Sequence, residues 1–384
     1  MLRFLTAGES HGKGLVVVIE GVPAGLALDE EYIARELARR QKGYGRSARM
    51  EIEQDHAQII SGVRHGLTMG SPISFFIPNR DWENWQEIMS ILPPEKRIEP
   101  VTRPRPGHAD LPGAIKYHLD DMRPIMERAS ARETTARVAV GAVAKQLLEE
   151  FGIELHSHTI CIGGCWAQST APVDWAKVEA SPVSCADSEA EQAMIEAIDE
   201  AKQAGDTVGG VFEVIANGVP VGLGSHVHWD RRLDGRIAQA MMSINAVKGV
   251  EIGTGFALAS LRGSQAHDII EGLWHRATNR AGGIEGGMTN GEPIIVRAVF
   301  KPIPTLGQPL PSIDLRSGEK IEAHFERSDI CRVPSAGVIG EAMLAITLAE
   351  ALVEKFGGDH IEETRRNYRS YLESTGFKER EFGR

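Results

Sequence analysis

Cysteine is scarce: Cys161, Cys165, Cys185 and Cys331 are the only four among 384 residues. No two of them form C-x-x-C, which excludes a disulfide framework and gives no signal for a structural zinc site. Aromatic residues make up 6% of the chain, leaving few platforms on which nucleobases could stack. Positive charge is in deficit, with 42 Lys+Arg against 53 Asp+Glu and a net charge of −11. Proteins that bind nucleic acid generally, or anionic membranes, need a positive surface, so neither partner is expected. No stretch of about 18 uncharged apolar residues occurs, so no membrane span is expected. The first residues, MLRFLTAGESHGKG, lack the apolar run and small-residue cleavage site of a secretory signal. The expected setting is therefore cytoplasmic and reducing.

What is present is an ordinary globular composition, 42% hydrophobic and 25% charged, with 41 Gly and 19 Pro that call for many turns. The chain also repeats itself. Gly8-Glu9-Ser10-His11-Gly12 leads into VVVIEGVPAGL, and Gly205-Asp206-Thr207-Val208-Gly209 leads into FEVIANGVPVGL. GLTMGSPI from Gly66 has its counterpart in GMTNGEPI from Gly287. Glu127-Arg128-Ala129-Ser130 precedes one long apolar helix, and Glu326-Arg327-Ser328 precedes another. Three matches in one order imply two copies, about 1–152 and 205–357, related by a pseudo-twofold axis rather than arrayed as a solenoid.

Each copy has the same grammar. Leu15–Glu20 is short, β-branched and closed by Gly21-Val22-Pro23, which predicts a strand and turn. Asp29 is placed to cap a helix through Gln41, with Ile33, Ala34, Leu37 and Ala38 on one face. Further strands are expected near Glu51–Ser61 and Ile73–Pro78. Ala131–Phe151 and Ala336–Phe356 are apolar nearly all round, which predicts helices buried on every side. The expected fold is α+β, a β-α-β sandwich of long buried helices between two mainly antiparallel sheets, forming a single domain. Glu179–Ala204 reads as a connector and 358–384 as a charged, poorly packed tail.

Four places carry candidate chemistry. From Arg35 to Arg49 the chain holds six cations (Arg35, Arg39, Arg40, Lys42, Arg46, Arg49) against Glu36 alone. Guanidinium forks suit carboxylate and phosphate oxygens, so a small polyanion is the natural guest, with a solvated helix face or subunit contact as the alternative. The Ser10-His11-Gly12 turn offers an imidazole able to protonate a departing oxygen. Its counterpart is Val208, so the turn does not need histidine for its shape. Arg103-Pro104-Arg105-Pro106-Gly107-His108-Ala109-Asp110 fixes two guanidiniums, an imidazole and a carboxylate on a stiff backbone. Ser130 with Glu133 matches the capping box S-x-x-E, and the same exposed N–H groups suit phosphate. Asp329 at the second helix lead-in is a candidate base.

Other patterns fail. GESHGKG has the wrong spacing for a Walker A loop, and no G-x-G-x-x-G follows a strand. The pairs His156/His158 and His226/His228 lack a third partner, so no metal is expected.

The segments GESHG, RQKGYGRSARM, RPRPGHAD, ERASARETTARVAVGAVAK, SINAVKGVEIG, GGIEGGMTNGEPI, KPIPT and ERSD together resemble the chorismate synthase family, from about Met1 to Phe356. Departures such as Ala129, Arg332 and Ser335 touch fine contacts only. The resemblance implies a lyase of the shikimate pathway, serving aromatic amino-acid biosynthesis. It would convert 5-enolpyruvylshikimate 3-phosphate to chorismate by anti-1,4-elimination of phosphate, requiring reduced FMN with no net redox change. It also implies a homotetramer, and NADPH as the reductant in members that reduce their own flavin. By resemblance, Arg40, Arg46, Arg49, Arg105 and Arg132 grip the substrate with Ser10 and Ser130. His11 protonates the leaving phosphate, His108 stabilises the reduced flavin and Asp329 assists removal of the C6 hydrogen. Flavin contacts are implied for Arg128, Ala129, Ser130, Asn245, Ala246, Gly286, Lys301, Pro302, Ile303, Pro304, Thr305 and Arg327. The competing functions are a non-catalytic polyanion-binding protein and an NADPH-dependent flavin reductase.

Overall fold

The computed structural model describes residues 2–46, 55–168, 172–272, 274–326 and 328–376. Strands β1 (Arg3–Ala7) and β2 (Gly14–Glu20) open the chain as an antiparallel pair. Period-two alternation puts Leu15, Val17 and Ile19 inside and leaves Val16 and Val18 outside. Helix α1 (Glu30–Gln41) starts at Asp29, whose carboxylate accepts the Glu31 N–H at 3.0 Å, as its sequence predicts. Strands β3 (Gln58–Ser61) and β4 (Ile73–Pro78) complete a sheet of order β1-β2-β4-β3. Of the strand expected near Glu51–Ser61, residues 51–54 lie outside the described residues.

Two short helices, α2 (Asp110–Tyr117) and α3 (Arg123–Ala129), lead to a 3-10 turn at Ala131–Glu133 and then to α4 (Thr134–Glu149). The expected capping box is only half there. The Ser130 hydroxyl accepts from Arg132 N at 3.3 Å, while Glu133 turns to Thr6 and Arg137 instead of reaching back. That tight turn is why the α-helix begins three residues later than its apolar pattern suggests.

The second sheet is built from β5 (Glu154–Ile162), β6 (Cys165–Trp166), β7 (Gly210–Asn217), β8 (Val247–Ile252) and β9 (Ile294–Phe300), in the order β8-β9-β7-β5-β6. Dropping β6, its order β5-β7-β9-β8 repeats that of the first sheet, and every pairing in both sheets is antiparallel. The expected connector holds a real helix, α5 (Ser188–Gln203), capped by Asp187 with Met194 and Ile198 buried. Helix α6 (Leu233–Met242) occupies the place in the second copy that α1 has in the first. Helix α7 (Val333–Phe356) matches α4 but begins at Val333, ahead of the expected Ala336, with Pro334 in its first turn.

Helices α4 and α7 make the most extensive contact between helices among the described residues, and between them they touch both sheets. They approach so closely because Gly141 has no side chain. A Cβ there would lie 2.3 Å from the Ala342 Cβ. Helix α7 is long and apolar enough to cross a membrane, yet 89% of its most apolar window is buried inside the protein, as a core helix should be.

The segment expected as a poorly packed tail folds as α8 (Ile361–Thr375). His360 and Glu363 form a reciprocal capping box, and Ile361, Thr364 and Tyr368 are buried along one stripe. The Tyr368 ring meets Phe151 and Phe356 edge-on at 5.1 and 5.2 Å. Residues 377–384 lie outside the described residues. At the α4–α7 crossing, Gly141→Ala should cost about 1–3 kcal/mol through overpacking, measured as a lower midpoint of thermal or denaturant unfolding. An unchanged midpoint would mean that the two helices can separate freely.

Candidate active site

The loops at one end of both copies surround a cavity of about 670 Å³, within the range of small-molecule sites. Ser10 and His11 enter from the β1–β2 turn, Arg40 from the last turn of α1, and Arg105, Gly107, His108 and Ala109 from the proline-rich turn. Met126 to Glu133 come from the α3–α4 junction. The second copy supplies Ser243 to Lys248, Lys301, Ile303, Pro304 and Thr305, and Asp329 with Arg332 before α7.

His11 is held from two sides. Its backbone N–H donates to Glu127 Oε2 at 2.7 Å, and its Nδ1 lies 2.9 Å from Glu127 Oε1. Trp85 stacks on the ring at 3.8 Å between centroids. An ionised carboxylate only accepts, so Nδ1 carries the hydrogen and Nε2 is left for the cavity. Ser130 Oγ donates to Ser10 Oγ at 3.1 Å beside it.

His108 is held in the same manner. Its Nδ1 lies 2.5 Å from Asp110 Oδ1, and Arg105 Nε donates to Asp110 Oδ2 at 2.8 Å. Burial alone would raise the Asp110 carboxyl, but the hydrogen bonds and charges of His108 and Arg105 hold it below the usual carboxylate range. Arg105 also reaches Thr305 Oγ1 at 3.2 Å.

The arginines form a compact positive floor. Arg132 donates to Asn79 Oδ1 at 2.9 Å and pairs with Asp55, whose second oxygen lies 3.7 Å from Arg40. Asp329 Oδ2 sits 3.2 Å from Arg332 and 3.7 Å from Arg46. Among the described residues this sets four guanidiniums against two carboxylates. Burial, reinforced by Arg332, Arg132 and Arg46 and opposed by Asp55, pushes Arg40 down to about 9. Burial and Arg332 push Arg46 down to about 10. Cations destabilised in this way favour an incoming anion.

The cavity lining includes Ser10, His11, Arg40, Arg105, His108, Arg128, Ala129, Ser130, Arg132, Asn245, Ala246, Lys301, Ile303, Pro304, Thr305 and Asp329. Arg46 and Pro302 are not among the lining residues; Arg46 lies buried behind Asp329. Gly286 sits in the turn of the hairpin Ile284–Glu285/Met288–Thr289 and does not line the cavity either. Arg49 and Arg327 lie outside the described residues. Arg35 and Arg39 belong to the basic run yet turn elsewhere. Arg35 faces Asp29 at 3.7 Å, and Arg39 enters the helix core. His158 pairs with Glu213 at 2.9 Å, and among the described residues no group of three or more His, Cys, Asp or Glu could hold a metal ion.

Sequence reasoning named no role for Glu127, Trp85, Asp55, Asn79, Arg332 or Glu326. Glu127 stands in the ERASARET motif and Asp110 in the proline-rich turn, so a search for carboxylates near candidate histidines had a signal to find. Asp55 and Asn79 had none, because each meets Arg132 across more than 50 residues of chain.

A cavity lined by guanidiniums and two carboxylate-oriented histidines, set between two duplicated sheets, marks an enzyme that acts on a small molecule. A family model described as chorismate synthase matches residues 2–353. The chorismate synthase of Moorella thermoacetica is 59% identical over 384 residues, covering 97% of this chain and 100% of that protein. That of Solibacter usitatus is 56% identical over 386 residues, covering 97% and 99%. A crystal structure of chorismate synthase, 46% identical, superposes with a TM-score of 0.78 and covers 97% of this chain and 98% of its own. The chain belongs to the chorismate synthase family, and so is a carbon–oxygen lyase of that class.

Replacing Asp55 with Asn should leave Arg40 and Arg132 buried without their shared counter-charge. The expected loss is about 3–5 kcal/mol, seen as a lower melting temperature that inorganic phosphate restores more strongly than it stabilises the unaltered protein. Equal phosphate effects on both proteins would place the anion elsewhere.

Proposed function

We propose that this cavity takes 5-enolpyruvylshikimate 3-phosphate together with reduced FMN and eliminates phosphate in the anti-1,4 sense to give chorismate. The observation that carries the reading is the convergence of the His11–Glu127 pair and the arginine floor on one cavity. Arg40, Arg132 and Arg332 bind the phosphate and carboxylates, with Ser10 and Ser130 as hydroxyl partners; the family resemblance adds Arg49 to the same role. Glu127 holds His11 by Nδ1, so that Nε2 is presented to the departing phosphate oxygen as its proton donor. Asp329, paired with Arg332 and Arg46, faces the cavity and assists removal of the C6 hydrogen.

The remaining lining fits a flavin. Phe300, Ile303, Pro304 and Val247 offer apolar surface, while Lys301, Arg128 and His108 offer cations for an anionic ring edge and a phosphate. Ala246 adopts a left-handed backbone, φ 72°, fixed where Lys301 N donates to its carbonyl at 2.9 Å. Strain of that kind in a non-glycine residue collects at ligand sites. Asn245 braces the same turn by donating to the Ala129 carbonyl at 2.8 Å. When bound, reduced flavin supplies electron density to the breaking allylic bond and recovers it, so no net redox change results. His108, oriented by Asp110, stands as the imidazole partner for that ring.

The assay is anaerobic: protein, substrate and chemically reduced FMN, followed by phosphate release and chorismate absorbance. No turnover would sink the lyase mechanism, and turnover with oxidised FMN plus NADPH would assign self-reduction to this chain. His11→Ala should lower kcat about 10²–10⁴-fold with little change in KM; parallel losses in binding and rate would remove the acid role.

A homotetramer in the cytoplasm completes the proposal. All four cysteines are free thiols. On the outer face of the first sheet, Leu5 (77% exposed) lies opposite Val18, and Ala7 opposite Val16, leaving an apolar face for a second copy to cover. Leu5→Lys should shift the mass measured by light scattering toward smaller species, and an unchanged mass would move the contact off this sheet.

A further inference from the structure

The two histidine–carboxylate pairs of the site are joined along the cavity wall by one acidic residue, Glu326. On the His11 side, Glu127 Oε1 lies 3.5 Å from Arg123 Nη1, and that same nitrogen donates to Glu326 Oε1 at 2.6 Å. On the His108 side, Glu326 Oε2 lies 3.7 Å from Arg105 Nη1, and Arg105 grips Asp110 and touches His108 Nδ1 at 3.1 Å. The charges alternate without a break: His11, Glu127, Arg123, Glu326, Arg105, Asp110, His108. Arg123 also lies over Trp85, 5.3 Å from the ring centroid, on the ring that stacks against His11.

Glu326 sits 203 residues from Arg123, at the lead-in to α7 in the second copy. It is therefore the point at which the second copy supports both histidines of the first. Without its charge, Arg123 and Arg105 would press against each other's field and against the carboxylates that orient the imidazoles.

We infer that Glu326 is a positioning residue for both His11 and His108, acting through Arg123–Glu127 on one and Arg105–Asp110 on the other, so that a single carboxylate sets the protonation of the two together. The inference rests on reading these histidines as the working groups of the elimination, but its test does not depend on turnover.

The sign follows from charge. Glu326→Gln leaves two cations with less compensation, so each imidazolium becomes less favourable and both titration midpoints fall. The other groups facing His11 are Glu127, Arg123 and the Trp85 ring, with Glu9 on its own turn and Arg132 in the same cavity. Those facing His108 are Asp110 and Arg105, with Lys301 bonded to the neighbouring Gly107 carbonyl. All of them are retained in the variant.

The full-length chain is labelled with ¹³C at histidine Cε1 and titrated by NMR without substrate. The His11 and His108 signals are assigned by their loss in His11→Asn and His108→Asn. In E326Q both midpoints should fall by about half a pH unit or more. His324, 3.4 Å from Glu326, should fall with them, while the remote, exposed His228 stays put. Glu326→Asp, which keeps the charge, should return both signals at least halfway. Movement of only one histidine, of neither, or of either one upward overturns the inference. If E326Q does not fold, Arg123→Gln carries the test. Loss of that cation should raise the His11 midpoint by a similar amount and move His108 less, and an unmoved His11 overturns it equally.

Discussion

The placement of α1, α4 and α7, whose ends carry much of the site, depends on a cluster of charges buried among the three helices. Glu341 on α7 is fully buried and accepts from Lys145 on α4, from Arg39 on α1 at 2.7 Å and from the Ser157 hydroxyl at 2.6 Å. Glu36 closes the ring by accepting from Arg39 at 2.8 Å and Lys145 at 2.7 Å. A buried carboxylate tolerates such a place only when its oxygens are satisfied from several directions. Burial would raise the Glu341 carboxyl, but Lys145 and Arg39 hold it far below the usual range. The cluster admits one relative placement of α1, α4 and α7. Consecutive helical residues point about 100° apart, so fixing Arg39 on Glu341 aims Arg40 toward Asp55 and the cavity.

The duplication explains why the site is lopsided. Matching sheets and helices set the same loops at the same end, yet the loops diverge in chemistry. The first copy's β1–β2 turn brings Ser10 and His11 to the cavity. Its counterpart spends Thr207 on the Ile303 carbonyl at 2.8 Å and Val208 N on the Ile330 carbonyl at 3.0 Å. One turn brings an imidazole to the cavity while the other braces the opposite wall. The same division holds for the ends of α1 and α6, where one offers Arg40 and the other the strained Asn245-Ala246 turn.

Much of this was legible in the sequence. Local patterns marked α1 from Asp29 to Gln41 and β4 at Ile73–Pro78, and the repeat announced paired sheets. Histidine between glycines and a proline-stiffened turn marked the two imidazoles. What stayed hidden was long-range pairing: Glu127 meets His11 across 116 residues and Asp55 meets Arg132 across 77. No local spacing encodes such contacts. The α8 helix was missed for another reason. Its charge density outweighed a narrow stripe of Ile361, Thr364, Tyr368 and Leu372 at helical spacing, and that stripe with the His360/Glu363 cap was the better guide. Composition reports how a segment meets water, and periodicity reports which face does not.

The basic run shows how a local charge count must be divided before it means anything. Six cations against one acid suggested a single anion site, yet Arg35 is surface, Arg39 is core, and Arg40 and Arg46 are the pair buried at the site. Their burial destabilises them, which a solvated cluster of the same size would not experience. Asp55 and Asp329 offset part of that cost and fix the geometry, but they leave an excess of guanidinium over carboxylate. A guest with one negative group would satisfy one side of the floor and leave the other uncompensated. A small molecule bearing several anionic groups at fixed separation answers all of them at once, and the acidic exterior discourages longer polyanions from competing for the entrance.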